Sequence, residues 1–162
     1  MVVDRLPGVL VNTLHSCGDL RGENVVLFDQ RDYGDFPFVQ DNYSVSRRDV
    51  LRGIHGDRQT FKVITCLSGT IVFVVVDCRV HGGHFGEFMM LELSGENKKQ
   101  VVVPPGFGNA HLVTSDQAIF HYKLSSHYDQ ASQFTYTWDD PRFAIPWPIT
   151  HPILSDRDSV RG

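Results

Sequence analysis

Short apolar and β-branched segments recur along the chain, and turn-forming residues separate them. Eight segments have the length of a strand, at residues 25–28, 38–46, 61–67, 70–78, 85–93, 100–103, 118–124 and 134–138. Short segments of this composition between turns are typical of β-strands. No stretch keeps a helical period for more than a turn or two. The pattern therefore predicts an all-β protein.

Ser68 and Gly69 lie between two strand-like segments, residues 62–67 and 70–77. A two-residue connection of this kind predicts a β-hairpin. The second arm is apolar at nearly every position, which predicts burial on both of its faces. Further Gly- and Pro-rich turns separate the other strands, at residues 82–83, 94–97 and 104–108. Many short strands with such turns predict a sandwich or barrel, and a jelly roll, or cupin, fits this length.

The chain of 162 residues has the size of one ordinary domain, so we expect a single domain over residues 1–162. Its C-terminal stretch, residues 141–158, contains Pro146, Pro148 and Pro152. Because proline cannot take part in a central strand, we expect this stretch to wrap around the surface. Its last residues should then return to the body of the domain.

Charge and composition argue against several classes of partner. The formal net charge is -4 and no block of Lys or Arg is present, which disfavours binding to nucleic acid. The longest apolar run, residues 70–76, is too short to span a membrane, and the N-terminus does not resemble a signal peptide. The three cysteines, Cys17, Cys66 and Cys78, are widely spaced, so we expect neither a disulfide framework nor a zinc site. A reducing, cytoplasmic location is expected from these features.

Eight histidines raise the question of a metal site. A cupin that binds a metal usually supplies a His-x-His pair on one strand and another His on a later strand, and this sequence contains no His-x-His. We therefore expect neither a metal nor another cofactor. His55 and His111 are the pair that keeps a metal-dependent oxygenase or isomerase open as an alternative. The sequence has no nucleophile elbow, P-loop or dinucleotide motif, which leaves acid and base chemistry by His, Tyr, Lys and carboxylates.

His55 follows the apolar segment 49–54, which carries Arg52. A histidine at the end of a strand is most often an ordinary surface residue. The neighbouring Arg52 favours a functional interpretation, because a cation beside a catalytic histidine can hold a diphosphate. Simple alternation would place Arg52 and His55 on opposite faces of the strand, so a shared site requires a bend or bulge at Gly53.

Two further segments carry polar residues among apolar ones. Alternation places Phe120, Tyr122 and Leu124 on one face of a strand, and a tyrosine that anchors the core is the simpler account of Tyr122. Lys62 shares a face with Ile64. Because a lysine on an apolar face is costly unless that face lines a polar cavity, the pattern predicts a binding site inside the barrel.

Ordered short motifs cover the chain from about residue 18 to residue 158. They are FVQDN at 38–42, VLRGIH at 50–55, VDCR at 76–79, ELSGEN at 92–97, VPPGF at 103–107, YK at 122–123, WDD at 138–140 and PILSDRD at 152–158. In this order they resemble the motifs of the dTDP-4-dehydrorhamnose 3,5-epimerase family. The resemblance implies a dimeric, metal-free jelly-roll cupin that epimerises a nucleotide-diphosphate 4-keto-6-deoxy sugar at C3, C5 or both, without a cofactor. A non-catalytic module that binds sugar nucleotides is a further alternative.

The same resemblance implies a role for individual residues. His55 resembles the family's base, Asp158 its carboxylate partner, Tyr122 the acid on the opposite face of the sugar, and Lys62 the cation that stabilises the enolate. Arg21 and Arg52 resemble diphosphate contacts. Five more residues are expected to contact the substrate: Gln40, Asn42, Asn109, His111 and Tyr128.

Several positions depart from the family pattern. The family segment Pro-x-Gly-Phe-Ala-His-Gly-Phe becomes PPGFGNAH at 104–111, so Asn109 stands in place of a substrate-contacting histidine. Three other motifs resemble a branch that acts on GDP-linked 4-keto-6-deoxy-heptoses in capsule and lipopolysaccharide synthesis: RGIHGD at 52–57, QFTYTW at 133–138 and LSDRD at 154–158. We therefore expect GDP rather than dTDP as the nucleotide.

Overall fold

Twelve strands form the framework of the computed structural model, which describes residues 1–159. The last three residues of the expected domain, 160–162, lie outside the described residues. Two 3-10 helices, Gln30–Tyr33 and Gln130–Ser132, and one helical turn, α1 (Asp156–Ser159), accompany the strands. The strands are β1 (Leu10–Thr13), β2 (Ser16–Asp19), β3 (Gly22–Val25), β4 (Gln40–Arg47), β5 (Leu51–Asp57), β6 (Lys62–Ser68), β7 (Thr70–Asp77), β8 (Phe88–Ser94), β9 (Lys99–Val103), β10 (Phe107–Val113), β11 (Gln117–Leu124) and β12 (Gln133–Thr135).

Two five-stranded antiparallel sheets face each other. The first sheet has the order β1-β9-β6-β11-β4, and the second has the order β12-β5-β10-β7-β8. The strands β2 and β3 form a separate two-stranded sheet. This architecture confirms the predictions of an all-β protein and of a jelly roll. Among residues 1–159 there is no helix with the length and apolar character needed to cross a membrane.

Apolar side chains fill the space between the sheets and also cover the outer face of the second sheet. The inner cluster joins Ile64 and Phe120 of the first sheet to Phe73 of the second. On the other side of β7, Val74 belongs to an outer cluster that includes Phe143 of the C-terminal stretch. Burial of β7 on both faces, predicted from its continuous apolar sequence, is thereby confirmed.

The predicted hairpin of residues 62–67 and 70–77 is wrong. β6 belongs to the first sheet and β7 to the second, so the chain crosses the sandwich at Gly69. A Cβ on Gly69 would lie 2.1 Å from the Gln117 carbonyl oxygen, which shows how closely β11 passes this turn. A tight turn in a sequence indicates that the chain changes direction. It does not determine which strands become hydrogen-bonded neighbours.

The C-terminal stretch wraps around the second sheet and returns to the body, as its prolines predict. Its Ile145 and Trp147 pack against the outer cluster. Further along, the Leu51 amide donates a hydrogen bond to the Ile153 carbonyl at 3.0 Å, and the Ile153 amide donates to the Asp49 carbonyl at 2.8 Å. These bonds bring α1 alongside β5.

The strand β10 has the composition of a turn region in the sequence, and the strand prediction misses it together with the short β1 and β2 and most of β3. All seven residues of β10 are buried, and the strand lies between β5 and β7 in the second sheet. Asn109 and His111 interrupt its apolar pattern because they line a cavity. A period-two pattern detects a strand only where polar residues face solvent.

A bulge in β5 occurs where the shared site of Arg52 and His55 requires one. Across the ladder, Asn109 pairs with His55 and His111 pairs with Arg52, so β5 contains one residue more than β10 over this interval. Gly53 lies inside the bulge with φ of +124°. A Cβ there would lie 2.5 Å from Ala110 Cβ. Only glycine combines this backbone conformation with such close packing.

We predict that Gly53→Ala destabilises the protein by about 2–4 kcal/mol, because it adds both backbone strain and a clash in a packed sheet. Gly22→Ala is the matched control, since Gly22 has φ of +123° and no atom of the described residues lies within 4 Å of an added Cβ. The control should lose only about 1 kcal/mol from the unfavourable φ. Urea unfolding measures both values, and equal losses would contradict the role assigned to close packing.

Candidate active site

A cavity of about 420 Å³ lies between the two sheets. Alternate residues of β4 and β11 form one wall: Gln40, Asn42, Ser44, Phe120, Tyr122 and Leu124. Residues of β5 and β10 form the opposite wall: Arg52, His55, Asp57, Asn109 and His111. Lys62 and Ile64 of β6 also line the cavity. The polar cavity predicted from the position of Lys62 is thus confirmed.

His55 is hydrogen-bonded to Asp158, which lies 103 residues further along the chain. Its Nε2 lies 2.5 Å from Asp158 Oδ1, and the side chains are 26% and 2% exposed. Burial alone would raise the pKa of Asp158, but the hydrogen bond and charge of His55 outweigh it, so the pKa is lower than usual. The carboxylate therefore stays ionised and fixes the imidazole with Nε2–H as the donor.

Lys62 lies deep in the cavity, only 9% exposed. Its ammonium donates a hydrogen bond to Asn109 Oδ1 at 3.0 Å and approaches the His55 carbonyl at 3.4 Å. Burial lowers the pKa of Lys62 from 10.5 to about 8, although the negative charge of Asp57 acts in the opposite direction. At neutral pH the cavity therefore contains the buried ammonium of Lys62, which is hydrogen-bonded to the side-chain amide oxygen of Asn109.

Tyr122 faces His55 from the opposite wall, because β11 belongs to the first sheet and β5 to the second. Burial raises the pKa of Tyr122 above its ordinary value, with Arg52 acting in the opposite direction. The phenol is therefore protonated at neutral pH and can donate. Alternation along β11 places it beside Phe120 and Leu124, as the sequence predicts.

Three cations line the cavity, Arg52, Lys62 and Arg157. Arg52 Nε donates to Ser46 Oγ at 3.1 Å, which orients the guanidinium. Arg157 precedes Asp158 in α1, and its guanidinium donates to Thr135 Oγ1 at 2.8 Å. These side chains make the cavity suitable for an anionic ligand.

Nine of the eleven predicted site residues line the cavity, Asp158 joins the site through its hydrogen bond to His55, and Arg21 lies apart. Gln40 accepts a hydrogen bond from the Tyr128 amide at 3.0 Å and donates to Asn42 Oδ1 at 3.3 Å. Arg21 instead lies at the exposed turn between β2 and β3, where it pairs with Asp19. Within residues 1–159 it does not line the cavity.

Sequence reasoning missed several residues that line the cavity, notably Ser44, Asp57, Gln133 and Arg157. Ser44 continues the alternation of Gln40 and Asn42, so the period of β4 contained the signal. Asp57 accepts hydrogen bonds from the amides of Gln59 and Thr60 and from Gln133. Its position depends on a loop conformation that no periodicity reveals.

Within residues 1–159, no three His, Cys, Asp or Glu side chains come together in a way that could hold a metal ion. His55 uses one ring nitrogen for Asp158. His111 stacks on Phe120, with ring centroids 4.0 Å apart.

Comparison with known proteins gives a consistent family assignment. The family model described as dTDP-4-dehydrorhamnose 3,5-epimerase matches residues 4–161. The chain is 34% identical over 166 residues to the dTDP-4-dehydrorhamnose 3,5-epimerase of Shigella flexneri, and the match covers 98% of this chain and 92% of the relative.

Two solved structures extend this similarity to the fold. The dTDP-6-deoxy-D-glucose-3,5-epimerase of Legionella pneumophila, in complex with dTDP-4-keto-L-rhamnose, has a TM-score of 0.89 and 34% identity, covering 95% of this chain and 86% of its own. The 3'-monoepimerase of Streptomyces bikiniensis, in complex with dTDP-quinovose, has a TM-score of 0.88 and 32% identity, covering 93% and 81%.

We predict that Lys62→Met raises the free energy of unfolding at pH 7, because it removes a buried charge. A shift in pKa from 10.5 to about 8 corresponds to about 3 kcal/mol. This cost is present below pH 8 and disappears as the pH rises to 10.5, where the unfolded chain also loses the proton. Urea unfolding at pH 7 and pH 10 measures the gain and its decline. Lys99→Met, at the partly exposed end of β9, is the control, and it should change the free energy of unfolding little. A gain for Lys62→Met that is the same at pH 7 and pH 10 would contradict the prediction.

Proposed function

The chain belongs to the dTDP-4-dehydrorhamnose 3,5-epimerase family and is an isomerase, and on this premise we propose which groups move protons in its cavity. The substrate is a nucleotide-diphosphate 4-keto-6-deoxy sugar, inverted at C3, C5 or both. One observation carries the proposal: the His55–Asp158 pair and Tyr122 lie on opposite walls of one cavity. A base and an acid on opposite sides of a sugar ring are what inversion at a carbon requires.

His55 removes the proton from the carbon next to the C4 ketone. Because Nε2–H donates to Asp158, Nδ1 keeps the lone pair that accepts the proton. The buried carboxylate then stabilises the imidazolium that forms. Asp158 thus acts through His55 and needs no contact with the sugar.

Lys62 stabilises the enolate oxygen that develops at C4. Its ammonium is held by Asn109 and the His55 carbonyl, so it is oriented before the reaction begins. A preorganised cation in a cavity shielded from water stabilises developing negative charge more strongly than the same cation in bulk solvent. Tyr122 returns a proton to the carbon from the other wall, which inverts the configuration.

In this proposal the cavity walls described above contact the sugar and the diphosphate, so they do not identify the nucleoside. Arg52 supplies charge for the diphosphate. The names of the relatives refer to dTDP sugars, which supports dTDP as the nucleotide to test first. The GDP-heptose expectation rests on three short motifs and is the second nucleotide sugar to test. A place in surface polysaccharide synthesis is part of this proposal.

A homodimer explains why Arg21 lies outside the cavity of its own chain. Arg21 lies at the tip of the hairpin β2–β3, most of whose residues are exposed. A two-stranded hairpin is marginally stable alone in water, which favours its packing against another molecule. Tyr43, Val45 and Leu67 also expose apolar surface on the outer face of the first sheet. In the proposed dimer, Arg21 reaches the diphosphate bound to the second copy.

Deuterium exchange tests the reaction directly. In deuterated water, the enzyme should incorporate deuterium at C3, C5 or both of a dTDP- or GDP-linked 4-keto-6-deoxy sugar, detected by NMR. His55→Asn should reduce exchange at least about 100-fold, since it removes the base, whereas Tyr122→Phe should retain exchange and lose inversion. His121→Asn is the matched control, because His121 also bonds a carboxylate, Asp41 at 2.6 Å, but lies outside the cavity.

If the protein binds both nucleotide sugars but exchanges no deuterium, it is a non-catalytic binding module. If turnover requires a metal ion, it is a metal-dependent cupin. Either result would refute the proposed reaction. Full activity in His55→Asn would refute the base assignment alone.

Mixed dimers test the proposed position of Arg21. His55→Asn and Arg21→Ala should each have low activity alone. Co-expression should restore about a quarter of the wild-type activity, because half of randomly formed dimers are mixed and each contains one complete site in a twofold dimer. Recovery is measured with the exchange assay, and sedimentation establishes the dimer. Absence of any recovery in mixed dimers would place Arg21 outside the site.

A further inference from the structure

His111 is a buried polar group in the cavity wall that the proposed proton transfers do not use. It is 2% exposed, and its Nε2 is buried without a hydrogen-bond partner among residues 1–159. Leaving a buried ring nitrogen unpaired costs free energy that a neighbouring donor or acceptor would recover. The ring lines the cavity, so a ligand there can pair with the imidazole at the edge that faces the cavity.

The register of the second sheet places His111 relative to the reacting groups. Asn109 pairs with His55, and His111 pairs with Arg52. The two β10 residues share a face and lie about 7 Å apart along the strand. Lys62 donates to Asn109. The cation proposed to stabilise the enolate therefore lies beside Asn109, at one position along β10. Arg52 lies beside His111, at the other position; we call these two positions the two levels of the cavity wall.

This spacing orients the sugar ring along β10, given the proposed function. The C4 oxygen lies at Lys62, and the diphosphate on C1 lies at Arg52. C1 and C4 are opposite corners of a pyranose ring, so the ring bridges the two levels. The hydroxyl nearest to C1 is the one on C2, and it therefore meets the wall at His111.

The imidazole has the properties that such a contact requires. It stacks on Phe120 with an interplanar angle of 15°, which fixes the plane of the ring. Burial lowers the pKa of His111 to about 3, and the nearby Arg52 and His55 act in the same direction. A neutral imidazole nitrogen can pair with a hydroxyl as donor or acceptor and takes no proton from the substrate.

We infer that His111 is a specificity-determining residue that hydrogen-bonds the C2 hydroxyl of the sugar, so that the enzyme selects 4-keto sugars with this hydroxyl over their 2-deoxy counterparts. The inference rests on the proposed function and deepens it. It assigns a recognition role to a residue two positions along β10 from Asn109.

A pair of substrates that differ only at C2 tests this inference. The wild-type enzyme should prefer the 2-hydroxy 4-keto sugar over the 2-deoxy sugar by about 10- to 100-fold in kcat/KM, the usual range for one buried hydrogen bond. His111→Phe keeps the aromatic stack and should reduce this preference to less than about threefold. The His111→Phe substitution should lower kcat/KM for the 2-hydroxy sugar and leave kcat/KM for the 2-deoxy sugar little changed. His111→Gln restores a hydrogen-bonding group and should recover part of the preference.

The outcomes separate the inference from the proposed function. Exchange with both sugars but no preference in the wild type would overturn the role of His111, as would an unchanged preference in both variants. Absence of deuterium exchange with either sugar would overturn the proposed function itself. If His111→Phe does not fold, His111→Gln and the wild-type preference still decide the inference.

Discussion

The hydrogen bond between His55 and Asp158 is the contact on which the site depends. It joins a strand in the middle of the sheet to a helical turn near the end of the chain. Because Asp158 is buried and ionised, it costs free energy unless the imidazole pairs with it. The same bond therefore orients the proposed base and holds the C-terminal stretch against β5.

A polar cavity inside an apolar sandwich also imposes a cost. Lys62 carries a charge that burial disfavours, and within residues 1–159 a ring nitrogen of His111 is unpaired. The fold offsets this cost with apolar burial elsewhere, since β7 is packed on both faces and the outer cluster adds a second core. A substrate that pairs with these polar groups would recover part of the cost on binding.

Periodicity and proline placement predict much of this architecture. Alternation in β11 placed Tyr122 on one face with Phe120 and Leu124, and Lys62 on an apolar face indicated that a polar cavity exists. Pro146, Pro148 and Pro152 predicted the returning tail. The sheet partner of β6 and the identity of β10 were not predictable, because both depend on contacts between distant segments. The position of Arg21 relative to a site likewise depends on neighbours outside its own chain, as the homodimer proposal supposes.

The C-terminal stretch, which covers the outer face of the second sheet, is the last part of the chain to be synthesised. The ribosome releases Phe143 and Trp147 after every strand of the two sheets, so the outer face of β7 stays uncovered until translation has passed them. A nascent chain that stalls before this point presents a broad apolar surface to chaperones and proteases. It also lacks Asp158. An incompletely synthesised chain is thus both recognisable to quality control and deprived of the group that orients its base.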